Sequence, residues 1–295
     1  MVLAKQTYAW LKDYDPFMTP CFKTGPHEFA TKHQELHQMM LDSWGPIFNR
    51  YVDKQPPSYA NFRQQFRTAL SPDREFSATN AYVVNDITEL DIFEVVSKLK
   101  SSSPGVDGWQ VHELKALGLT SFSRLAQLYH CIERTAKWPS QLLEVPVTTL
   151  KKGTGDTPLQ IRPISLTSHL YRIWAKIRWT QLQPWHLSWV PNELHGGIAN
   201  RESVDSYFQV ALDIEEANFE QLPLFGILYD YQKCFDNIAW PIEVGILHDL
   251  GMPGHVSRAM FSYNQFIMRR FKIGKSVGPA FSNTNSICQG CRDVR

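Results

Sequence analysis

The sequence predicts an α+β fold, because stretches with helical periodicity alternate with short apolar runs that are typical of buried strands. The strongest strand signal is the run at residues 222–229, which is short, apolar and rich in aromatic and branched side chains. The strongest helix signal starts at Thr88, a suitable capping residue, and continues with apolar residues at helical spacing up to Lys100. With 295 residues and 43% hydrophobic content, the chain can bury a sizeable core in one or two domains.

Residues 1–80 are predicted to form a mainly helical N-terminal arm or linker. A helical pattern extends over residues 28–51, and a polar stretch with prolines precedes a second short helix. His33 and His37 stand one helical turn apart in the first pattern. The glutamate that zinc-protease helices carry next to the first histidine is missing, and no third ligand is evident. We therefore interpret the two histidines as part of a solvated helix face.

Residues 81–190 contain most of the other predicted elements. The helix after Thr88 leads into residues 103–108, where Pro-Gly and Asp-Gly pairs indicate a turn. Hydrophobic periodicity then predicts a helix at residues 121–137, a strand at residues 145–150 and a helix at residues 168–182.

Residues 191–295 are predicted to carry the strand that precedes Asp230. The tryptophan-rich segment at residues 184–197 is predicted to be irregular, and a long helix at residues 203–219 would support the strand at residues 222–229. Further on, the apolar spacing of residues 244–250 predicts a helix that Gly251 and Pro253 end.

Asp230 directly follows the apolar run. A carboxylate held at a rigid strand end can bind Mg²⁺, which prefers oxygen ligands, and share it with the phosphates of a nucleotide. Phe235, five positions later, would then close the sugar pocket. Strands that end in aspartate are common in α/β proteins, so this signal depends on the motifs around it.

Four motifs occur in a fixed order along the chain. They are SPGVDG at residues 103–108, LKKG at 150–153 with IRPISL at 161–166, YDYQKCFD at 229–236 and CQGC at 288–291. In this order and at these separations they resemble the reverse transcriptase domain of non-LTR (LINE-like) retrotransposons, and more loosely that of group II intron proteins. The resemblance covers residues 85–291.

The resemblance implies a right-hand polymerase fold, with fingers at residues 81–190, a partial palm at residues 191–295 and no thumb. It implies RNA-directed DNA synthesis, in which dNTPs are added to a primer 3′-OH by two-metal phosphoryl transfer. The implied cofactor is Mg²⁺, or alternatively Mn²⁺, and the implied partners are an RNA template and a DNA primer.

The resemblance also implies a role for individual residues. Asp230 matches the first catalytic metal ligand, and Phe235 matches the gate that excludes a ribose 2′-hydroxyl. Lys151 and Arg162 match residues that hold the incoming triphosphate, for which Arg offers a planar fork and Lys a compact charge. The remaining implied substrate contacts are Lys233, Gln289 and Gly290. The implied nucleic-acid contacts are Ser103, Gly105, Asp107 and Gly108. The charge pattern, independently of the resemblance, predicts nucleic-acid contacts at Arg172, Lys176 and Arg178.

The sequence departs from the family pattern after Gly290. The family continues with a proline-rich turn and a hairpin that carries two adjacent aspartates, whereas this sequence has no Asp-Asp pair. A two-metal site needs several carboxylates. We therefore expect a domain truncated within the palm and inactive by itself. The alternatives are a non-catalytic nucleic-acid-binding remnant and an inert, pseudogene-like fragment.

Simpler interpretations exist for each motif. Residues 103–108 have the local sequence of an ordinary loop. Without the other motifs, Lys151 would be read as a solvated residue at a hairpin tip and Arg162 as a surface residue before a strand. Phe235 could be a core residue, as most phenylalanines are. We interpret Asp236 as a structural cap or turn residue.

Composition limits the class of protein. The net charge is +1, but Arg162, Arg172, Lys176 and Arg178 lie in a stretch without acids, and a second basic cluster occupies residues 269–275. Five irregularly spaced cysteines predict reduced thiols and an intracellular protein, nuclear or cytoplasmic, and we expect no zinc site. No apolar stretch is long enough to span a membrane, so we do not expect a membrane as a partner. The oligomeric state stays open.

Overall fold

The computed structural model describes residues 21–66, 80–151, 155–198 and 201–288. These residues form helices and two sheets, so the predicted α+β class is confirmed. The helices are α1 (His33–Phe48), α2 (Tyr59–Gln65), α3 (Glu89–Lys98), α4 (Val111–Lys115), α5 (Leu119–Thr135), α6 (Ser140–Leu143), α7 (His169–Trp189), α8 (Ser203–Phe219), α9 (Trp240–Asp249) and α10 (Gly254–Phe266). The strands are β1 (Phe22–Lys23), β2 (Phe29–Ala30), β3 (Glu144–Lys151), β4 (Ile161–Ser165), β5 (Met268–Ile273) and β6 (Ser276–Phe281).

The main sheet has the strand order β4-β3-β5-β6. Strands β3 and β5 are parallel, and each has an antiparallel neighbour on its outer side. Alternate side chains of a strand point to opposite faces. Val147, Phe271 and Ile273 point to the face that α1 covers, where they form a buried cluster with residues of the helix. The helical segment predicted as an N-terminal arm therefore shares a core with the sheet. The prediction of a solvated face is wrong for His37, which is buried with its Nε2 3.0 Å from the Ser276 hydroxyl.

A second, larger core joins α3, α5, α7 and α10. Trp138 is central to it, with its ring 5.2–5.3 Å from the rings of Tyr171, Trp174 and Tyr263. Its indole N–H donates to the carbonyl of Ala259 at 2.8 Å. A buried aromatic cluster whose polar atom is bonded fixes the crossing of the helices.

The helices with clear caps and periodicity are confirmed. Thr88 caps α3 with a reciprocal bond to Asp91, and the Ser168 hydroxyl accepts from the Leu170 N–H at the start of α7. The C-terminal end of α9 is followed by Gly251 at φ +82°, a conformation that glycine adopts without strain.

The predicted buried strand at residues 222–229 is wrong. These residues are exposed, Leu228 completely so, and they pair with no strand among the described residues. A short apolar run becomes a strand only where a neighbouring strand satisfies its backbone. The sheet is built instead on the parallel pair β3 and β5.

The predicted irregular segment at residues 184–197 is wrong in its first part. Helix α7 continues through Pro184 to Trp189. Trp185 is buried and its indole N–H donates to the carbonyl of Leu250 at 2.7 Å. Tertiary packing of this kind compensates for the backbone bond that proline removes.

Candidate nucleotide and nucleic-acid site

The hairpin β3–β4 carries the two cations that match triphosphate-binding residues. Leu150 pairs with Arg162, and Lys151 pairs with Ile161. Both cationic side chains are exposed. Because directly paired residues share a face and successive residues alternate, Lys151 and Arg162 project to opposite faces at the same end of the hairpin.

The face of the main sheet opposite α1 is open to solvent, and we call it the open face. The pairings place Arg162 of β4 and Arg270 and Lys272 of β5 on it. Arg162 and Lys272 are exposed, and Arg270 is partly exposed and lies 3.4 Å from Glu144. Three cations on the two strands that flank β3 form a surface suited to a phosphate backbone.

Strand alternation divides the basic cluster at residues 269–275. Arg269 points to the opposite face, where it is 1% exposed, stacks 4.7 Å above the ring of Phe48 and donates to the Ser286 hydroxyl at 2.8 Å. The open-face cations Arg270 and Lys272 were missing from the residues predicted to bind. The alternation of charged and apolar residues along β5 is the signal that could have found them.

The loop at residues 103–108 packs against the start of α7. A Cβ built on Gly105 would lie 2.8 Å from the backbone of Ser168, so only glycine permits this approach. The Ser168 hydroxyl donates to the Asp107 carboxylate. Gly108 adopts φ +73°, which glycine tolerates. Ser103 and Gly108 are exposed. The turn is therefore held rigidly and presents its outer edge to solvent.

The three basic residues of α7 have different surroundings. Arg172 donates to the carbonyls of Thr167 and Ser103, so it fastens the loop at residues 103–108. Lys176 is exposed. Arg178 is 2% exposed and its guanidinium forms a double contact with Glu133, so it faces the core and not a phosphate. We leave Arg178 out of the proposed nucleic-acid surface.

His169 lies at the start of the same helix and is buried. Burial, assisted by the nearby positive charge of Arg172, lowers the pKa of His169. The imidazole therefore stays neutral near pH 7 and adds no charge beside the loop.

Asp230 lies in an exposed segment, and its loop is anchored through Lys233. The Lys233 ammonium lies 3.8 Å above the ring of Trp44 and donates to the carbonyl of Leu159 at 3.2 Å. Leu159 precedes β4, so this contact brings the loop of Asp230 next to the hairpin that carries Arg162. The ammonium of Lys233 is thus engaged within the protein.

The turn after Lys233 is a 3₁₀ helix at Phe235–Asn237. Phe235 is 47% exposed, so it is not a core residue, and its side chain is accessible beside the Asp230 loop. Asp236 is buried within the turn, as expected of a structural residue. The predicted contacts Gln289 and Gly290 lie outside the described residues.

The described residues do not by themselves fit the magnesium site that the resemblance implies. Among them, no three or more His, Cys, Asp or Glu side chains are grouped so that they could hold a metal ion. Asp230 contributes one carboxylate, and a two-metal site requires several.

Within the same part of the chain, no helix is both long and apolar enough to cross a membrane.

Comparisons with known proteins point in one direction. No family model matches the chain. The chain is 25% identical to a protein from Drosophila melanogaster described as a probable RNA-directed DNA polymerase from transposon BS. The similarity covers 71% of this chain and 25% of that protein, so the chain spans about a quarter of its relative. This similarity supports a distant relationship to a reverse transcriptase.

Proposed function

We propose that this chain forms the template- and nucleotide-binding part of an RNA-directed DNA polymerase of a non-LTR retrotransposon. Its nucleic-acid ligand is an RNA template paired with a DNA primer, and its nucleotide ligand is a dNTP. Arg162 and Lys151 would contact the triphosphate, and Phe235 would exclude ribonucleotides. The nucleic acid would be contacted by the loop at residues 103–108, by Lys176 and by the open-face cations Arg270 and Lys272.

One observation carries the proposal. The contact of Lys233 with Leu159 joins the Asp230 loop to the β3–β4 hairpin, so the loop of the carboxylate lies next to the hairpin that carries Arg162 and Lys151. The open face adds Arg270 and Lys272 to Arg162. A carboxylate near cations on a solvent-exposed sheet suits a ligand that contains both phosphates and a metal ion.

Asp230 would supply one metal ligand in this proposal, and the other carboxylates would come from outside the described residues. The chain supplies binding and orientation through its own side chains. Holding the primer end and the nucleotide in fixed geometry is a large part of the catalysis of phosphoryl transfer.

The proposal is tested by measuring how salt weakens the binding of an RNA–DNA hybrid. Each phosphate contact contributes about 0.9 to the slope of log K against log salt. Replacing Arg270 and Lys272 together with Ala should therefore lower the slope by about 2, since each lost contact changes it by about 1.

Arg124→Ala provides the matched control. Arg124 is exposed on α5, away from the open face, and its replacement removes one positive charge. We expect this variant to keep the slope of the parent chain. If Arg124→Ala lowered the slope as much as any one open-face replacement made singly, only net charge would matter and the proposed surface would be refuted.

A second candidate is a nucleic-acid-binding protein without catalysis, as expected if Asp230 is the only carboxylate at the site. Primer extension on an RNA template, with Mg²⁺ and dNTPs, separates the two. Extension that Asp230→Ala abolishes would exclude the second candidate. Hybrid binding without extension by the parent chain would favour it.

A further inference from the structure

We propose that α1 supports the candidate site and that Asn285 is the residue that positions the site against α1. In this view, Asn285 clamps the turn after Asp230 to the C-terminal end of α1. This inference rests on the proposed function for its consequence, but the clamp itself can be tested without any ligand.

The Asn285 side chain is fully buried and joins segments that are far apart in sequence. Its amide nitrogen donates to the carbonyl of Ile47 at 2.9 Å and to the carbonyl of Asp236 at 2.6 Å. Its amide oxygen accepts from the N–H of Arg50 at 3.0 Å. Two carbonyls and one N–H define the orientation of the amide, because only the nitrogen can donate and only the oxygen can accept.

The residues on either side of Asn285 form further hydrogen bonds to the same two segments. On the side of α1, the N–H of Thr284 donates to the carbonyl of Phe48 at 2.9 Å, and its hydroxyl accepts from the N–H of Tyr51 at 3.0 Å. On the side of the turn, the N–H of Ile287 donates to the carbonyl of Phe235 at 3.1 Å. The segment at residues 284–287 therefore lies between α1 and the turn and is bonded to both.

An independent contact joins the same two elements. Lys233, with its ammonium above the ring of Trp44 in α1, adopts φ +52°. A lysine in this left-handed region needs stabilising contacts elsewhere, because its Cβ is crowded there. The two links hold the turn at both of its ends, whereas the preceding residues 222–232 are exposed.

The clamp matters for function because Asp230 and Phe235 lie on the clamped loop. A buried polar network whose groups are all bonded makes a structure rigid and selects one conformation. Without the Asn285 amide, the carbonyls of Ile47 and Asp236 would be left buried without this donor. The loop would then sample other positions, and a nucleotide would meet its contacts less often in the right geometry.

The first measurement is hydrogen exchange of the full 295-residue chain in the absence of ligand. The amides of Asp236 and Asn237 both donate to the carbonyl of Lys233, so they report on the turn. In Asn285→Ala we expect their exchange to rise at least about tenfold, because a lost buried hydrogen bond shifts a local opening equilibrium by about an order of magnitude.

Asn264→Ala is the matched control. Asn264 is also a buried asparagine, but its amide donates to the carbonyl of Met260 within α10 and contacts neither α1 nor the turn. Exchange in the turn should stay within about twofold of the parent in this variant, since the side-chain bond that it removes lies within α10. If Asn285→Ala does not fold, Lys233→Met tests the second link and should raise exchange at the same two amides.

Ligand binding then separates positioning from general structural damage. Asn285→Ala should weaken binding of the Mg²⁺ complex of a dNTP about tenfold. Hybrid binding should stay unchanged, because the bonds of Asn285 do not involve Arg270 or Lys272. Unchanged exchange in the turn would overturn the clamp, and raised exchange with unchanged nucleotide binding would overturn its positioning role. A parent chain that binds no dNTP would refute the proposed function, and exchange alone would then decide the clamp.

Discussion

The buried ion pair between Glu133 and Arg178 yields the most direct prediction of stability. Glu133 accepts from the Trp174 indole at 2.8 Å and from two nitrogens of Arg178 at 2.5–2.6 Å. The two charged side chains are 6% and 3% exposed, respectively. Arg178 also donates to the carbonyl of Asn85 at 2.6 Å. The pair therefore ties α5 and α7 to the segment before α3.

Glu133→Gln should destabilise the chain by about 3–5 kcal/mol, because it leaves the Arg178 charge buried without its partner. The shape of the side chain is retained, so packing contributes little to this loss. The double variant Glu133→Gln with Arg178→Met should cost less than the sum of the two single variants, since the second change removes the unpaired charge.

Urea unfolding, followed by tryptophan fluorescence, measures these free energies. Glu94→Gln is the control, because Glu94 forms an exposed pair with Lys98 at 2.6 Å. An exposed pair one helical turn apart contributes about 0.3–0.5 kcal/mol. A loss in Glu133→Gln no larger than that in Glu94→Gln would refute the reasoning.

Three further changes test other parts of the structure. Burial raises the pKa of Glu243 to about 7 from 4.5, so the folded state holds its proton more tightly and stability falls as pH rises between these values. Glu243→Gln should abolish that fall, which amounts to roughly 3 kcal/mol from the pKa difference. If the unfolding free energy of the variant fell with pH as it does in the parent chain, this prediction would be contradicted. Gly278→Ala should lower stability by about 1–3 kcal/mol through overpacking, because its methyl would lie 2.7 Å from the His37 ring. An unchanged midpoint of thermal unfolding would contradict this. Phe235→Val should allow ribonucleotides to bind as well as dNTPs, and unchanged sugar selection in a competition assay would argue against the gate.

Local signals in the sequence were sufficient for several of the helices. Thr88 with Asp91 makes a reciprocal cap, and Ser168 precedes a helix whose apolar residues recur at helical spacing. Burial of Arg178 is readable in the same way, because it follows Trp174 by four residues and so lies on the apolar side of the helix. The predicted strand at residues 145–150 also matches β3 to within one residue at each end.

Long-range pairing is what the sequence did not reveal. Hairpin β5–β6 and helix α10 have suitable alternation and periodicity, but their place beside β3 depends on contacts between distant segments. The run at residues 222–229 has the composition of a strand and lacks a neighbouring strand among the described residues. The clamp at Asn285 was equally inaccessible, because its partners lie 238 and 49 positions away.

The central claim is that this chain selects a nucleotide according to a template. The direct test uses an RNA template paired with a DNA primer that ends in a dideoxynucleotide, so that no chemistry is required. We expect the complementary dNTP, with Mg²⁺, to slow dissociation of the hybrid, and Arg162→Ala to remove this effect. Equal effects of all four dNTPs, or none from any of them, would contradict the claim.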